Sequence, residues 1–272
     1  MEALNTFSNP GLIISASHLE TPGGAIIEGL EEVLGHDATI IGGMAGDDSY
    51  QGAVVFDARN HSHRGLVSLI LDMDRIELSG QAVSGWKSVG TKKIITKSEG
   101  SWVYTIDDVP ALDMLVKYNG LQLDDDETSE FGNIIAQFPF QLEQERGKPV
   151  MTVPLVYNRK TKAIMCTTPV SQGAKFRFSM PPDFDVIDSV INSAQEVHTT
   201  AMKEADAMII FSCLGRFILL GPLIDQEVNG LNDVWGVPMA GFFSFGEFGR
   251  VEGGTPEYHG TTCSWVALHE RE

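Results

Sequence analysis

Arg216 stands three residues after Cys213, between the apolar runs Ala207–Ser212 and Phe217–Leu220. A guanidinium held at the end of a buried strand offers a planar fork of donors that matches a carboxylate. Cys213 beside it can act as a nucleophile or redox sensor if the cation lowers its pKa, or it can be an inert buried thiol. The same arginine can equally be held in an internal ion pair with Glu227 or Glu247, because buried charges are paired whatever else they do.

Acidic residues follow two glycine-rich turns: Asp47 after Gly42-Gly43-Met44-Ala45-Gly46, and Glu247 after Gly241-Phe242-Phe243-Ser244-Phe245-Gly246. Glycine lets a ligand approach the backbone, and carboxylates in equivalent places can do acid–base work or cap a turn. His259 stands alone before the last strand, whereas His61 and His63 share a hairpin tip where an HxH pair could hold a metal. No GxSxG elbow, Ser-His-Asp set, phosphate loop or zinc-ligand spacing occurs.

The elements that must position these groups alternate between helix and strand. Gly11–Ser17 reads as a buried strand, Pro22 to Leu34 as a helix stopped by Gly35, and Ala38–Ile41 as a second strand running into the Gly42–Asp48 turn. Consecutive strands are expected at Gly52–Asp57, Gly65–Leu71, Ile76–Val83, Lys92–Thr96 and Trp102–Ile106, then a helix from Pro110 to Asn119-Gly120 and an acidic loop at Leu121–Glu130. A hairpin at Val150–Tyr157 and Ala163–Thr168 and a strand at Ala174–Ser179 follow. Apolar spacing makes Phe184 to Met202 a helix. The last elements are a strand at Ala207–Ser212, a helix over Leu223–Trp235, strand from Val237 onward, and a final strand over Thr261–Leu268.

The first unit recurs near the end. Gly29, Leu30, Val33 and Gly35 hold the relative places of Gly230, Leu231, Val234 and Gly236, each set after an Ile-Ile strand and before a glycine-rich turn with an acid. This reads as a duplication whose two strand–turn elements face each other, with a ligand site at their junction.

Composition narrows the partners. With 37 acidic against 19 basic residues and a formal net charge of -18, the chain repels phosphate backbones and anionic membranes, so neither nucleic acid nor membrane insertion is expected. The three cysteines form no CxxC pair, Met1–Pro10 lacks a signal-peptide pattern, and no apolar run spans a bilayer, so a cytoplasmic location is expected.

Several of these segments together resemble the FIST family. In its N-terminal part the resemblance rests on the Gly42–Asp48 turn with Gly52–Phe56, then Gly85-Trp86, Gly90, Thr96, Ser98-Glu99-Gly100 and Pro110-Ala111-Leu112. In its C-terminal part it rests on Phe211-Ser212-Cys213-x-Gly215-Arg216, Glu227, Gly241–Glu247, His259 and Thr261-Thr262. The resemblance implies a signal-transduction input module that senses small molecules such as amino acids, with some relatives binding haem and responding to nitric oxide. It also implies that the chain starts late relative to the family, as a short form or fragment, with its output in a separate signalling protein.

The resulting expectations are an α+β fold of sheets packed with helices in two pseudo-repeated halves, with residues 1–120 as the N-terminal part and 121–272 as the C-terminal domain. The expected function is a non-enzymatic sensory domain for an amino acid or other small carboxylate, without a resident cofactor. Its expected ligand-binding residues are Gly43, Asp47, Cys213, Arg216, Glu227, Gly241, Ser244, Glu247, His259 and Thr261. Three other readings stay open: a haem-binding nitric-oxide sensor, a hydrolase or transferase using Cys213 with Glu247, and an interaction module using Phe242, Phe243, Phe245 and Phe248.

Overall fold

The structure is a computed structural model that describes residues 6–17, 23–47, 52–120, 137–180, 183 and 185–271. The acidic loop expected at Leu121–Glu130 lies outside the described residues. The chain forms two compact units, Met1–Gly85 with Phe184–Glu272, and Trp86–Asp183.

The first unit opens with strand β1 (Pro10–Ala16), helix α1 (Gly23–Leu34) and strand β2 (Thr39–Met44), which lies parallel to β1. A small hairpin, β3 (Val55–Phe56) with β4 (His61–Ser62), precedes the long antiparallel strands β5 (Leu66–Asp72) and β6 (Ile76–Val83). The hairpin tip is not Asn60–His63 as expected. Asp57 accepts from the backbone N–H of Arg59 and Asn60, at 2.7 and 2.6 Å, closing the turn earlier and leaving His61 in a strand.

The second unit holds β7 (Ser88–Glu99), β8 (Trp102–Ile106), β9 (Val109–Pro110), α2 (Ala111–Asn119), β10 (Phe140–Leu142), β11 (Val150–Thr152), β12 (Pro154–Asn158), β13 (Ala163–Cys166) and β14 (Lys175–Ser179). They form one sheet in the order β11-β10-β14-β7-β8-β13-β12, with β9 beside β8. The single strand expected at Val150–Tyr157 is two strands at opposite ends of this sheet. Helix α2 covers its apolar face over Ile95, Val103, Ile106 and the tilted and edge-to-face rings of Phe140, Phe176 and Phe178, and ends at Gly120 in the left-handed conformation.

The chain then completes the first unit with α3 (Asp185–Thr200), β15 (Ala207–Cys213), α4 (Leu214–Leu220), α5 (Ile224–Trp235), β16 (Met239–Ser244), β17 (Glu247–Arg250), β18 (Pro256–His259) and β19 (Cys263–Glu270). Two sheets result, β18-β17-β2-β1-β5 and β16-β15-β19-β6. They face each other across Ile13, Ile41, Leu78, Phe211 and Val266. The outer face of the first sheet packs around Ile27 of α1, and that of the second packs on α3 and α5 through Val190, Ala194, Leu231 and Trp265. Helix, sheet, sheet and helix are thus layered in an α+β fold.

The pseudo-repeat is visible in the elements themselves. β1 and β15 have seven residues each, α1 and α5 twelve, and β2 and β16 six, and in both copies the second strand lies parallel to the first. Gly35 and Gly236 end the two helices in the left-handed region. The copies differ where α4 is inserted after β15. Sequence reading missed that helix because LGRFILL is only seven residues long, has no polar cap and is too short to show a helical period.

β2 runs on through Gly42 and Gly43, which had been read as a turn. A Cβ on Gly43 would sit 2.8 Å from Phe211 Cδ1 and 2.9 Å from Ser244 Cβ, so only glycine lets β2 lie against the opposite sheet there. Gly43→Ala should therefore destabilise the protein by about 1–3 kcal/mol in urea unfolding. Gly29→Ala, inside α1 with open space around it, should stabilise it by about 0.5–1 kcal/mol. Equal effects from the two would contradict the packing described.

Candidate functional site: a buried Arg–Glu core

β15 delivers Ser212 and Cys213 to the interior, and α4, starting at the next residue, places Arg216 in its first turn. After a short 3₁₀ turn, α5 returns Glu227 in its own first turn, where the helix N-terminus favours a carboxylate. Arg216 and Glu227 are both fully buried. The guanidinium Nε lies 3.0 and 3.3 Å from the two Glu227 oxygens, and Nη2 pairs with Glu227 Oε2 as well.

The remaining donors go to backbone. Nη1 donates to the carbonyls of Ser84 (2.6 Å) and Thr261 (3.3 Å), and Nη2 to that of Val186 (3.2 Å). A guanidinium has five N–H groups, and these acceptors account for all of them. Arg216 is therefore not a free fork for a ligand carboxylate. The internal pairing with Glu227, the alternative weighed from sequence, is what the fold contains. Ser212 Oγ donates to the other side of Glu227 at 2.9 Å, and the Cys263 thiol also bonds it.

A second buried carboxyl lies close by. Glu247 Oε1 is 2.6 Å from Ser244 Oγ, and Oε2 takes the Thr262 hydroxyl at 2.8 Å and the Thr262 N–H at 3.2 Å. Burial pushes the Glu247 carboxyl from an ordinary 4.5 up to about 8, against the opposite pull of Ser244, Thr262 and the Cys213 thiol. Burial likewise drives the Cys213 thiol upward, reinforced by Glu247. A thiol held protonated in the interior is a poor nucleophile, so the geometry does not support the cysteine-dependent hydrolase reading.

Between the two carboxyl groups runs Gly260-Thr261-Thr262. Thr261 is β-branched yet has φ +61°, a strained conformation held by the Arg216 contact to its carbonyl and its own hydroxyl bond to Gly260 O at 2.6 Å.

The fold brings Gly43 to the same place, opposite Glu247 in the β2–β17 register. The two strand–turn elements meet as expected: Met44 N donates to Gly246 O and Phe245 N to Met44 O, both at 2.8 Å. Their junction is filled with protein, since a Cβ on Gly46 would fall within the Phe245 ring. Asp47 stays apart, accepting from Gly52 N at 2.7 Å, and Gly241 lies on exposed β16.

His259 is buried with Nε2 3.2 Å from Gly249 O, and burial lowers its pKa to about 4. It lines neither surface cavity described below. Sequence reasoning left out of the site Ser212 and Thr262, which read as motif neighbours. It also left out the carbonyls of Ser84 and Val186, which have no side-chain signature.

The cavities on this unit include two at its surface. One, about 510 Å³, lies between α3 and α5 around Gln195, His198 and Asp233. The other, about 310 Å³, is a cleft along β1 and β5 (Ile13–Ser15 and Val67–Leu69) closed by Phe211 of β15. No charged residue lines the cleft.

The raised Glu247 pKa has a sign. Its neutral form is favoured in the folded state, so its contribution to stability is present below about pH 4.5 and is lost as pH rises towards 8. Glu247→Gln should remove this loss. The difference in stability between variant and parent, measured by urea unfolding from pH 4.5 to 8, should shift in the variant's favour as pH rises. A difference independent of pH would show that Glu247 is not held neutral.

The FIST N domain family matches residues 2–109 and the FIST C domain family matches residues 111–250. No curated protein matches the chain. FIST domains are sensory, signal-transduction domains rather than catalytic ones. No helix among the described residues is long and apolar enough to cross a membrane. The segments that carry the FIST C signature, from Phe211 to Glu247, are the ones that assemble the buried Arg216–Glu227 and Glu247 core, and with both parts matched over most of its length this chain belongs to the FIST family.

Proposed function

We propose that this chain is a sensory input domain that receives a small, uncharged and largely apolar molecule in the cleft formed by β1, β5 and Phe211. The observation that carries this reading is the lining. Ile13, Ser15, Val67, Leu69 and Phe211 surround about 310 Å³ with no charge, at the small end of the usual range of about 300–1,000 Å³ for ligand pockets. β1 and β5 are in register there, Ile13 opposite Leu69 and Ser15 opposite Val67, so both pairs point to one face of the sheet. Ser15 supplies a hydroxyl on that face.

This changes the expected ligand chemistry. A carboxylate or amino acid would lose its hydration in the cleft without a cation to meet it, because Arg216 is consumed by Glu227 and the backbone. An apolar ligand with one hydrogen-bonding group fits the walls instead. Phe211 couples the cleft to the core: its backbone neighbour Ser212 donates to Glu227. A shift of β15 on binding would be felt at the ion pair.

A thermal-shift series tests the proposal with indole, benzyl alcohol and cyclohexanone against alanine, glutamate and succinate. A ligand that binds only the native state stabilises it by about 2.7 kcal/mol at a concentration a hundredfold above its Kd. The neutral apolar probes should raise Tm and the charged ones should not. Leu69→Trp, a change at an exposed wall residue, should abolish the effect while the protein stays folded. Stabilisation by carboxylates that survives Leu69→Trp would contradict the assignment.

A further inference from the structure

The larger of the two surface cavities, about 510 Å³, is a groove between α3 and α5. Both helices belong to the first unit, and the volume lies within the usual range of about 300–1,000 Å³ for ligand pockets. At one end the helices meet at Gly230, where a Cβ would fall 2.2 Å from Ile191 Cδ1. Towards the C-termini of both helices they meet again at His198, whose ring lies edge-to-face with Trp235 at 5.0 Å.

Three polar side chains line the groove, Gln195 and His198 from α3 and Asp233 from α5. Among the described residues none of the three side chains has a hydrogen-bond or ion-pair partner. Ile191 and Val234 add hydrocarbon to the same walls. Polar groups that converge on a cavity with apolar walls, and that the fold itself does not use, are the usual makings of a ligand site.

The charge of the walls selects the ligand. Asp233 is the one carboxylate among the lining residues, and no lysine or arginine lines the groove. Neither helix contains one: α3 carries Asp185, Asp188 and Glu196, and α5 carries Asp225, Glu227 and Asp233. Only Glu227 of these is neutralised by an arginine, in the buried pair with Arg216. An anion would meet no counter-charge here. A protonated amine has three N–H donors, and the walls offer the Asp233 carboxylate, the Gln195 carbonyl oxygen and an imidazole nitrogen of His198 as acceptors. One imidazole and one carboxylate fall short of the ligand set of a structural metal site.

We infer that the groove between α3 and α5 binds a small primary ammonium ion with a hydrocarbon body. Its N–H groups donate to Asp233, Gln195 and His198, and its apolar part rests on Ile191 and Val234. This site is separate from the β1–β5 cleft and does not depend on it: the cleft takes a neutral molecule and the groove takes a cation.

The test uses the full chain and three probes of one shape: phenethylamine as the cation, phenethyl alcohol as its neutral counterpart and phenylacetate as the anion. Binding is followed by calorimetry and by backbone amide shifts. Phenethylamine should shift the amides of residues 191–199 and 230–234, and Leu69→Trp, which closes the cleft, should leave its affinity unchanged. Phenethyl alcohol should bind there roughly fivefold more weakly, and phenylacetate should not bind there. Asp233→Asn should weaken phenethylamine roughly fivefold, to the level of the alcohol. Glu196→Gln removes an exposed charge from α3 outside the lining and should change the affinity by less than about twofold, because exposed charges beyond contact are screened. Equal losses in the two variants would reduce the effect to non-specific charge and overturn the inference. So would amide shifts confined to other residues, equal affinity for amine and alcohol at the groove, or no binding of phenethylamine.

Discussion

The guanidinium of Arg216 is the constraint to which the surrounding structure answers. Burying an unpaired ion costs several kcal/mol even after relaxation, so its acceptors must be assembled before the fold is stable. They come from four places far apart in the chain: Glu227 at the start of α5, Ser84 after β6, Val186 in α3 and Thr261 before β19. One cation thereby joins the two sides of the second sheet to both helices that cover it. The same demand explains why α4 begins directly after β15, and why Thr261 keeps a backbone conformation unfavourable for a β-branched residue.

Glu247 shows the contrasting solution. It meets no cation, only the hydroxyls of Ser244 and Thr262, the Thr262 N–H and the Cys213 thiol, and burial favours its neutral form. Two carboxyl groups on neighbouring strands and helices are thus accommodated by different physics, one by charge pairing and one by neutralisation. Together they fill the interior where a ligand site was expected. The interior there is closed, and the β1–β5 cleft lies at the margin of the sandwich.

Much of this was legible in the sequence. β6 and β8 match the expected strands residue for residue, and α1, α3 and α5 fall within a few residues of their expected spans, because capping glycines and apolar spacing act locally. The repeat was legible for the same reason: Gly35 and Gly236 end helices of equal length. The signature residues Cys213, Arg216, Glu227, Ser244, Glu247 and Thr261 were found and do cluster, as does Gly43. What the sequence could not convey was their burial, which turns a candidate ligand fork into an internal ion pair. Gly42 and Gly43 were read as turn residues because their roles depend on contacts made only in the fold: Gly42 against Ile14 of the adjacent strand, and Gly43 against Phe211 and Ser244 in the opposite sheet. The cleft was missed because Ile13, Val67 and Leu69 are ordinary strand residues in sequence, and only the register of β1 with β5 beside Phe211 brings them to one wall.

The central claim, that Arg216 and Glu227 form an architectural pair and not the ligand site, is tested most directly by substituting one and then both members of the pair and reading the variants with the neutral probes. Arg216→Ala should cost about 3–5 kcal/mol, because it strands the buried Glu227 carboxylate. Arg216→Met combined with Glu227→Leu should be more stable than Arg216→Ala and should keep the parent's Tm response to the neutral probes. A folded double variant that no longer responds, or one that regains response only to carboxylates, would place recognition at the pair and contradict the account.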